Sequence, residues 1–375
     1  MQIGILKEIK STEQRVIVVP QAINALAEAG HDIFVESDAG KSSNFENVEY
    51  ESAGAKILPT SEKIFQKAQL LLKVQAPQPI EYELFSPDHI SFSFLLLPNN
   101  PERISALLKR NSIFFAIEMI ESFDKKRPVL NVMSEIAGKH SIIQGAKYLE
   151  KSYGGKGIQV SGIKNVPPAT ITILGAGVAG SFAARQALAL GANVNLLDED
   201  YNKLIKIQEK GQLPNLKIFQ YSNEILQKLL KDTDILIAAV LKSGYKSPVL
   251  VKKEDVKLLK PGSVIVDLSI DQGGCVETSR PTTQENPIYI QDEIVYYCVT
   301  NIPSSVPYTS SIALSTSVLP YVKQFADLGF QESIAINSEL RNGLNLYRGK
   351  VVNPVIAKTQ GYEYYDILEL LELNI

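Results

Sequence analysis

The sequence predicts an α/β protein of two domains, each built on a mainly parallel sheet, with a cleft between them. Three observations point there. Apolar strand-like runs alternate with helix-like segments along nearly the whole chain. Residues 171–200, ITILGAGVAGSFAARQALALGANVNLLDED, read as one complete strand–helix–strand unit. A glycine- and proline-punctuated connection, GGKGIQVSGIKNVPPAT (154–170), separates that unit from an earlier α/β block. At 375 residues the chain is long enough for two cores.

The first block contains candidate strands Ile3–Leu6, Ile33–Glu36, Leu70–Val74, Ser91–Leu96 and Phe114–Glu118. Helices are expected near 20–29, 61–67 and 101–110 between them. A helix-compatible stretch, Ser134–Glu150, follows, with Ser-Glu as its expected start. Past the connection come strands Lys217–Tyr221, Ile235–Val240, Val264–Ser269 and Val295–Val299, and from Thr309 to Asn342 the pattern is helical. No internal repeat or low-complexity tract interrupts this order.

Within 171–200 every part has a physical job. Ile171–Leu174 is a short apolar run, and Gly175, Gly177 and Gly180 follow with G-x-G-x-x-G spacing around Val178. The first glycine makes the tight turn, the second lets backbone approach a pyrophosphate, and the third lets helix and strand pack closely. Phe182, Ala183, Ala187, Leu188 and Leu190 form a helical stripe, Ala192–Leu197 alternates as a strand, and Asp198 ends it. Helix N–H groups meet phosphate charge, and an acid at this place hydrogen-bonds a ribose 2′-hydroxyl while repelling a 2′-phosphate. A lone glycine pattern could serve only a tight turn. With strand, helix, strand and acid in register it points to a Rossmann-like domain binding NAD rather than NADP. The expected division is 1–133 plus 302–375 as a substrate domain and 134–301 as the NAD-binding domain.

Composition excludes other classes. Lys plus Arg is 38 and Asp plus Glu is 41, a net charge of −3, too balanced for a nucleic-acid partner. No apolar run approaches the roughly 18 residues of a membrane span, and MQIGILKEIK lacks a signal-peptide layout, so a cytoplasmic protein is expected. Cys275 and Cys298, the two cysteines, have no nearby Cys or His at metal-ligand spacing, and no metal is expected.

Charged residues in buried strands are candidates for the site. Lys73 sits in QLLLKV, so it either meets an anion in the cleft or pairs with a structural carboxylate. Arg15, in KEIKSTEQRVIVVP, is by itself an ordinary loop arginine. Asp267 and Asp271 lie four apart in VIVDLSIDQGG, on one side of a period-2 strand. Asp271, beside Gly273 and Gly274, is either at the strand end where ligands bind or a turn-capping acid.

Several separated segments together resemble the alanine dehydrogenase family, whose fold is shared with the nucleotide-binding subunit of proton-pumping transhydrogenase. They are GILKEIKSTEQRV (4–16), LLKVQAP (71–77), MSEIAGKHSIIQGAKYLEK (133–151), ILGAGVAG (173–180), AAVLKSGYKSP (238–248), KPGSVIVDLSIDQGGCVETSRPTT (260–283), YYCVTNIPSSVPYTSS (296–311) and GLNLYRGKVVN (343–353). The resemblance runs essentially from residue 1 to 375. SIDQGGC is similar to the amino-acid dehydrogenases, whereas transhydrogenase has Glu at the position of Asp271. The resemblance implies that Arg15 and Lys73 hold a substrate carboxylate, that Asp271 is catalytic, and that Leu130 and Met133 line the pocket. It further implies NAD contacts at Ser134, the Gly175–Gly180 loop, Asp198, Lys203, Ser222, Val240, Arg280, Val299 and Asn301. Lys203 and Ser222 would look the same as a surface helix lysine and a helix-capping serine. Relatives form dimers and hexamers, so a homo-oligomer is expected.

The chain also departs from the family pattern. The family's proton-donating histidine falls on Leu96, Phe94 stands where tyrosine is usual, and Ile302 and Tyr308 replace a methionine and a basic residue. His89 precedes or faces away from the position of Leu96, His140 lies in the Ser134 helix, and His31 ends a first-domain helix. Loss of a general acid typically costs on the order of 10² to 10⁴ in rate. Three readings follow: an alanine dehydrogenase in which Asp271 and water carry the proton transfers, a dehydrogenase for a bulkier amino or imino acid, and a non-catalytic NAD-binding regulatory homologue.

Overall fold

The computed structural model of the chain describes residues 1–209, 213–240 and 247–373. Residues 241–246 of the segment 238–248 quoted above lie outside the described residues. Fifteen strands are present among those described: β1 Gln2–Ile5, β2 Asp32–Glu36, β3 Lys56–Leu58, β4 Leu70–Gln75, β5 Ile90–Phe94, β6 Ile113–Ala116, β7 Thr170–Leu174, β8 Asn193–Asp198, β9 Leu216–Gln220, β10 Ile235–Ala238, β11 Val264–Asp267, β12 Ile288–Gln291, β13 Ile294–Tyr297, β14 Leu344–Tyr347 and β15 Lys350–Val351. The chain divides into two compact units, Met1–Met133 with Val306–Ile375, and Ser134–Ser305.

The first unit holds an eight-stranded sheet in the order β15-β14-β6-β5-β4-β1-β2-β3. Strands β1 to β6 pair in parallel, while β14 is antiparallel to both β6 and β15. The apolar run of β4 is continuous because both faces of a parallel sheet are covered by helices. One core, including Leu6, Ile64, Phe65, Leu71, Phe85, Phe114 and Ile356, fills one of these layers. The strand order reverses between β1 and β4, the kind of switch point at whose carboxyl side α/β proteins bind ligands.

The C-terminal segment completes this unit. The helix Pro307–Ile336 contains Pro320 and breaks at Gly329, whose φ is 78°. Ser311 and Ser315 on it accept the backbone N–H groups of Val16 at 3.0 Å and Val19 at 3.1 Å, and Ser311 Oγ also meets Ser43 Oγ at 2.8 Å. These bonds explain why Ser311 and Ser315 are buried on this helix.

The second unit holds seven strands in the order β12-β13-β11-β10-β7-β8-β9, all parallel except the β12–β13 pair. Its order reverses between β7 and β10. Two cores flank the sheet, one including Ile142, Ile171, Ala183, Ala187 and Val266, the other Leu174, Leu226, Leu236, Ile265 and Tyr296.

Several expected boundaries move. The helix expected to open at Ser134 begins at Pro128, where proline's missing N–H is harmless in the first turn. The strand expected to reach Leu96 stops at Phe94, and the one expected to reach Glu118 stops at Ala116 and turns into a 3-10 segment, Ile117–Met119. Asp267 and Asp271 do not share a strand face, because β11 ends at Asp267 and Asp271 belongs to the 3-10 turn Ile270–Gln272.

The glycine fingerprint has a measurable steric basis. A Cβ on Gly180 would lie 1.8 Å from the carbonyl oxygen of Gly175, so only glycine lets the helix Val178–Ala189 seat against the end of β7. We expect Gly180→Ala to lower stability by about 3 kcal/mol, the upper range for overpacking, read as a fall in the urea midpoint at unchanged m-value. A variant with the parent's midpoint would refute this packing account.

Candidate active site

In the first unit the charged residues gather at the carboxyl ends of β1 and β4. Arg15, in the loop after β1, is buried and clamped by Glu13. Its Nε and Nη2 donate to Glu13 Oε1 and Oε2, each at 2.7 Å, and its backbone N–H donates to Glu13 Oε1 at 3.0 Å. Glu13 Oε2 also accepts from Gln75 Nε2 at 2.7 Å. Burial opposes ionisation of Glu13, but the charge and hydrogen bonds of Arg15 outweigh it and hold the carboxyl down at about 2. The remaining guanidinium nitrogen, Nη1, lies 3.1 Å from Met133 Sδ, and the guanidinium carbon sits 6.0 Å from the Phe94 ring centre. Arg15, Met133 and Phe94 thus meet, with Leu130 half-buried one turn earlier on the Met133 helix.

Lys73 is 1% exposed and forms an ion pair with Glu81, which is also buried. Of the two readings open for Lys73, the geometry has the pairing with a carboxylate. Glu81 is itself fixed, accepting from the backbone N–H of Gln78 at 2.7 Å. The polar side chain beside the Arg15–Glu13 pair is instead Gln75, two residues along β4. The β4–β5 register shifts between Leu72 and Gln75, a bulge that re-aims the end of the strand.

Glu8 completes the cluster. Its Oε1 accepts from Val74 N at 2.7 Å and Gln75 N at 3.1 Å, while its buried Oε2 has no hydrogen-bond partner among the described residues. Burial pushes its carboxyl up to about 8; Lys73 pulls it down, and the negative charge of Glu13 adds to the rise. Near neutral pH Glu8 keeps its proton, so the cations Arg15 and Lys73 face two carboxylates and one neutral acid.

Leu96 lies in a turn after β5 with φ 49°, and it is 38% exposed between two sealed leucines, Leu95 and Leu97. Glu118 accepts from the N–H groups of Leu95 at 3.2 Å and Leu96 at 2.7 Å. Burial raises the Glu118 carboxyl to about 7, against the pull of those backbone donors and of Arg127. None of the histidines takes up proton chemistry at Leu96. His89 Nδ1 accepts from Ser86 N at 2.9 Å, which leaves Nε2 to donate to the Phe65 carbonyl at 2.9 Å, so the ring is a neutral core member packed edge-on to Phe65. His31 lies between the N-terminus and Asp327, and His140 meets Gln144. Tyr308 stacks on Phe45 at 5.3 Å between ring centres.

In the second unit the fingerprint loop follows β7 at that sheet's own switch point. Gly175 takes φ 96°, and a Cβ on Gly177 would meet nothing within 4 Å, leaving an open cradle over exposed backbone at the start of the helix Val178–Ala189. Asp198 ends β8 beside it. Its Oδ2 accepts from Ala176 N at 2.7 Å, and its Oδ1 accepts from Asp200 N at 2.9 Å with Lys203 Nζ at 3.4 Å. Ser222 caps the helix Asn223–Leu230 through the N–H of Ile225. Val240 follows β10 half-buried, Ser134 is half-buried on its helix, and Val299 is buried after β13. The guanidinium of Arg280 lies over the Tyr289 ring, 4.2 Å from its centre. Ile302 is part of the apolar core.

The two aspartates after β11 have opposite surroundings. Asp267 is fully buried, and its carboxylate accepts from Ser269 N at 3.0 Å, Cys275 N at 3.0 Å and Val276 N at 3.2 Å. Burial raises its pKa against those donors. It closes the loop that carries Asp271. Asp271 is exposed, and its Oδ2 accepts from the N–H of Asn301 at 3.1 Å, with Asn301 held at φ 57°. Among the described residues no group of His, Cys, Asp and Glu could hold a metal ion, and no helix is long and apolar enough to cross a membrane.

Sequence reasoning missed Glu8, Glu13, Gln75, Glu81 and Glu118. Four sit in loops or 3-10 turns, where no period marks them. Gln75 alone had a usable signal, its period-2 relation to Lys73 on one strand.

The profile of the alanine dehydrogenase/PNT N-terminal domain matches residues 4–137, and that of the C-terminal domain matches residues 141–354. An alanine dehydrogenase of Methanococcus maripaludis is 40% identical over 366 residues, covering 97% of this chain and 98% of that protein. An alanine dehydrogenase 2 of Staphylococcus aureus is 39% identical over 377 residues, covering 100% of both. A solved L-alanine dehydrogenase superposes with a TM-score of 0.91 at 35% identity, covering 96% of this chain and 99% of that one. A transhydrogenase from Sinorhizobium meliloti shares the fold, with a TM-score of 0.80 at 24% identity. With both halves matched and full-length relatives near 40% identity, the chain belongs to the alanine dehydrogenase/PNT family.

Proposed function

We propose that this chain is an NAD-dependent amino-acid dehydrogenase that oxidatively deaminates L-alanine, or a related small amino acid, to the 2-oxo acid and ammonia. The observation that carries this reading is the open cradle over Gly177 flanked by Asp198, within a chain whose relatives over its full length are named alanine dehydrogenases. The family is NAD-dependent in general, and the residues here fit the cofactor. Gly175, Gly177, Val178 and Gly180 would receive the pyrophosphate, and Asp198 the ribose hydroxyls. Ser134, Lys203, Ser222, Val240, Arg280, Val299 and Asn301 would make its remaining contacts. The unit Ser134–Ser305 is the proposed cofactor domain and the other the proposed substrate domain.

Bound NAD supplies a hydride acceptor. Arg15 would meet the substrate carboxylate, because Glu13 already fixes its guanidinium and removes the entropy of orienting it. Lys73, engaged with Glu81, would act behind it as a fixed positive charge. Met133 and Leu130 would line the substrate's apolar side. Asp271, exposed and hydrogen-bonded to Asn301, would take the proton from water as it adds to the oxidised carbon. With leucine at position 96, Asp271 and water would carry the proton transfers.

The test is direct. Purified protein with NAD and L-alanine at alkaline pH should produce absorbance at 340 nm, and Asp271→Asn should lower kcat by about 10² to 10⁴, as loss of an acid–base group does. Absence of turnover with every small amino acid would leave a binding protein rather than an enzyme. Alanine turnover untouched by Asp271→Asn would remove the aspartate from the mechanism.

Cofactor choice is tested separately. NADH should bind in preference to NADPH, and Asp198→Ala should weaken NADH while admitting NADPH, both read by fluorescence titration. Equal affinity of the parent protein for the two would contradict the role given to Asp198.

Alkaline assay conditions reach a buried acid. Glu8 is raised from 4.5 to about 8, so the folded chain holds a proton that the unfolded chain has released. Stability from this group is therefore full below about 4.5 and lost as pH rises through about 8, by up to about 1.4 kcal/mol per unit. Glu8→Gln keeps the shape and an acceptor for both amides. Its urea midpoint should fall less than the parent's between about pH 6 and about pH 9, and parallel falls would refute the assignment.

A further inference from the structure

The turn after β5 carries an unexplained leucine. Among the described residues, those with positive φ other than glycine are Asp, Asn, Glu, Lys and Arg, with Leu96 the one apolar exception. An L-residue with a branched side chain is strained in this region, and asparagine and aspartate are the non-glycine residues that enter it most readily. Such strain persists where surrounding structure over-determines it, and it then points toward a function.

Here the over-determination is complete. All four backbone polar atoms of Leu95 and Leu96 are held by side chains. Glu118 takes both N–H groups. Arg103 Nη1 donates to the Leu95 carbonyl at 2.8 Å, and Asn100 Nδ2 donates to the Leu96 carbonyl at 2.8 Å. Leu95 and Leu97 are sealed in the core on either side, so the turn lifts only Leu96 outward. A flexible surface loop would need none of this.

The turn lies close in sequence to the Arg15 cluster. It leaves the carboxyl end of β5, directly after Phe94, which pairs in register with Gln75 and lies under the guanidinium of Arg15. An α-amino acid anchored by its carboxylate at Arg15 has its side chain as the only apolar part left to recognise. We propose that the Leu95–Leu97 turn is a fixed specificity element: Leu96 is an apolar wall for an aliphatic substrate side chain longer than a methyl group, and Glu118 is the positioning residue that presents it. The inference rests on the reading of Arg15 as the carboxylate site. It narrows the substrate class to aliphatic amino acids such as 2-aminobutyrate and valine, ahead of alanine.

Binding and turnover separate the two readings. Calorimetric titration of pyruvate, 2-oxobutyrate and 3-methyl-2-oxobutyrate into the protein with NADH, without ammonia, gives a series in side-chain size, each acid adding one carbon to the last. Affinity should rise roughly fourfold per added methylene. Leu96→Asn keeps the left-handed turn and removes the wall, so the series should flatten while the pyruvate affinity is little changed, because pyruvate's methyl group does not reach the wall. Glu118→Gln should flatten the series in the same way. Uniform weakening of all three acids in that variant would make Glu118 merely structural, and overturn its positioning role. A flat series in the parent, no binding of any acid, or a slope unchanged by Leu96→Asn overturns the wall. Adding ammonia to the same samples and following NADH at 340 nm tests the dehydrogenase reading alone, because a sloped series without turnover keeps the wall and discards the enzyme.

Discussion

Charge buried at the carboxyl end of a parallel sheet must find an answer within reach, and the first unit is arranged around that requirement. An unpaired ion in such surroundings costs several kcal/mol. Lys73 is answered by Glu81, and Arg15 by Glu13. The extra acid, Glu8, is answered by keeping its proton and by two backbone N–H groups of β4. The loop after β1, the end of β4 and the turn at Gln78–Glu81 therefore hold one another in place. The cluster is close to electroneutral, which suits a ligand that carries both charges better than it suits a simple anion.

The backbone plan was legible where a period existed. The strand–helix–strand unit at 171–200 could be read whole, because its two periods and its glycines agree. The edge hairpins could not. The turn between β12 and β13 uses Asp292 and Glu293 with φ 51° and 60°, and that between β14 and β15 uses Arg348 and Gly349 with φ 45° and 78°. Two-residue hairpins want both residues left-handed, yet Asp-Glu and Arg-Gly carry little of the usual Asn-Gly signal.

Side-chain partners were less legible than strands, and the two aspartates after β11 show why. On paper they share a face and a character. In space β11 stops at Asp267, whose carboxylate turns inward to staple three backbone N–H groups, while Asp271 rides outward on the stapled loop. Lys73 is the converse case: its burial could be read from QLLLKV, but its partner is a loop glutamate that no spacing rule marks. The acids that define the site's electrostatics, Glu8, Glu13 and Glu118, reach it from irregular backbone.

The return of the chain to its starting unit has a consequence for how the protein is made. Strand β14 supplies the neighbour of β6, and serines of the helix Pro307–Ile336 supply the acceptors for Val16 and Val19. On the ribosome the N-terminal strands emerge first but lack these partners until the helix Pro307–Ile336 and β14 have been made. The intervening unit, whose strands all lie between Ser134 and Ser305, has everything it needs earlier. Vectorial synthesis thus inverts the usual N-terminal-first order. The edge of β6 stays unpaired until β14 has been made, which makes the nascent first unit, rather than the intervening one, the segment most in need of a chaperone.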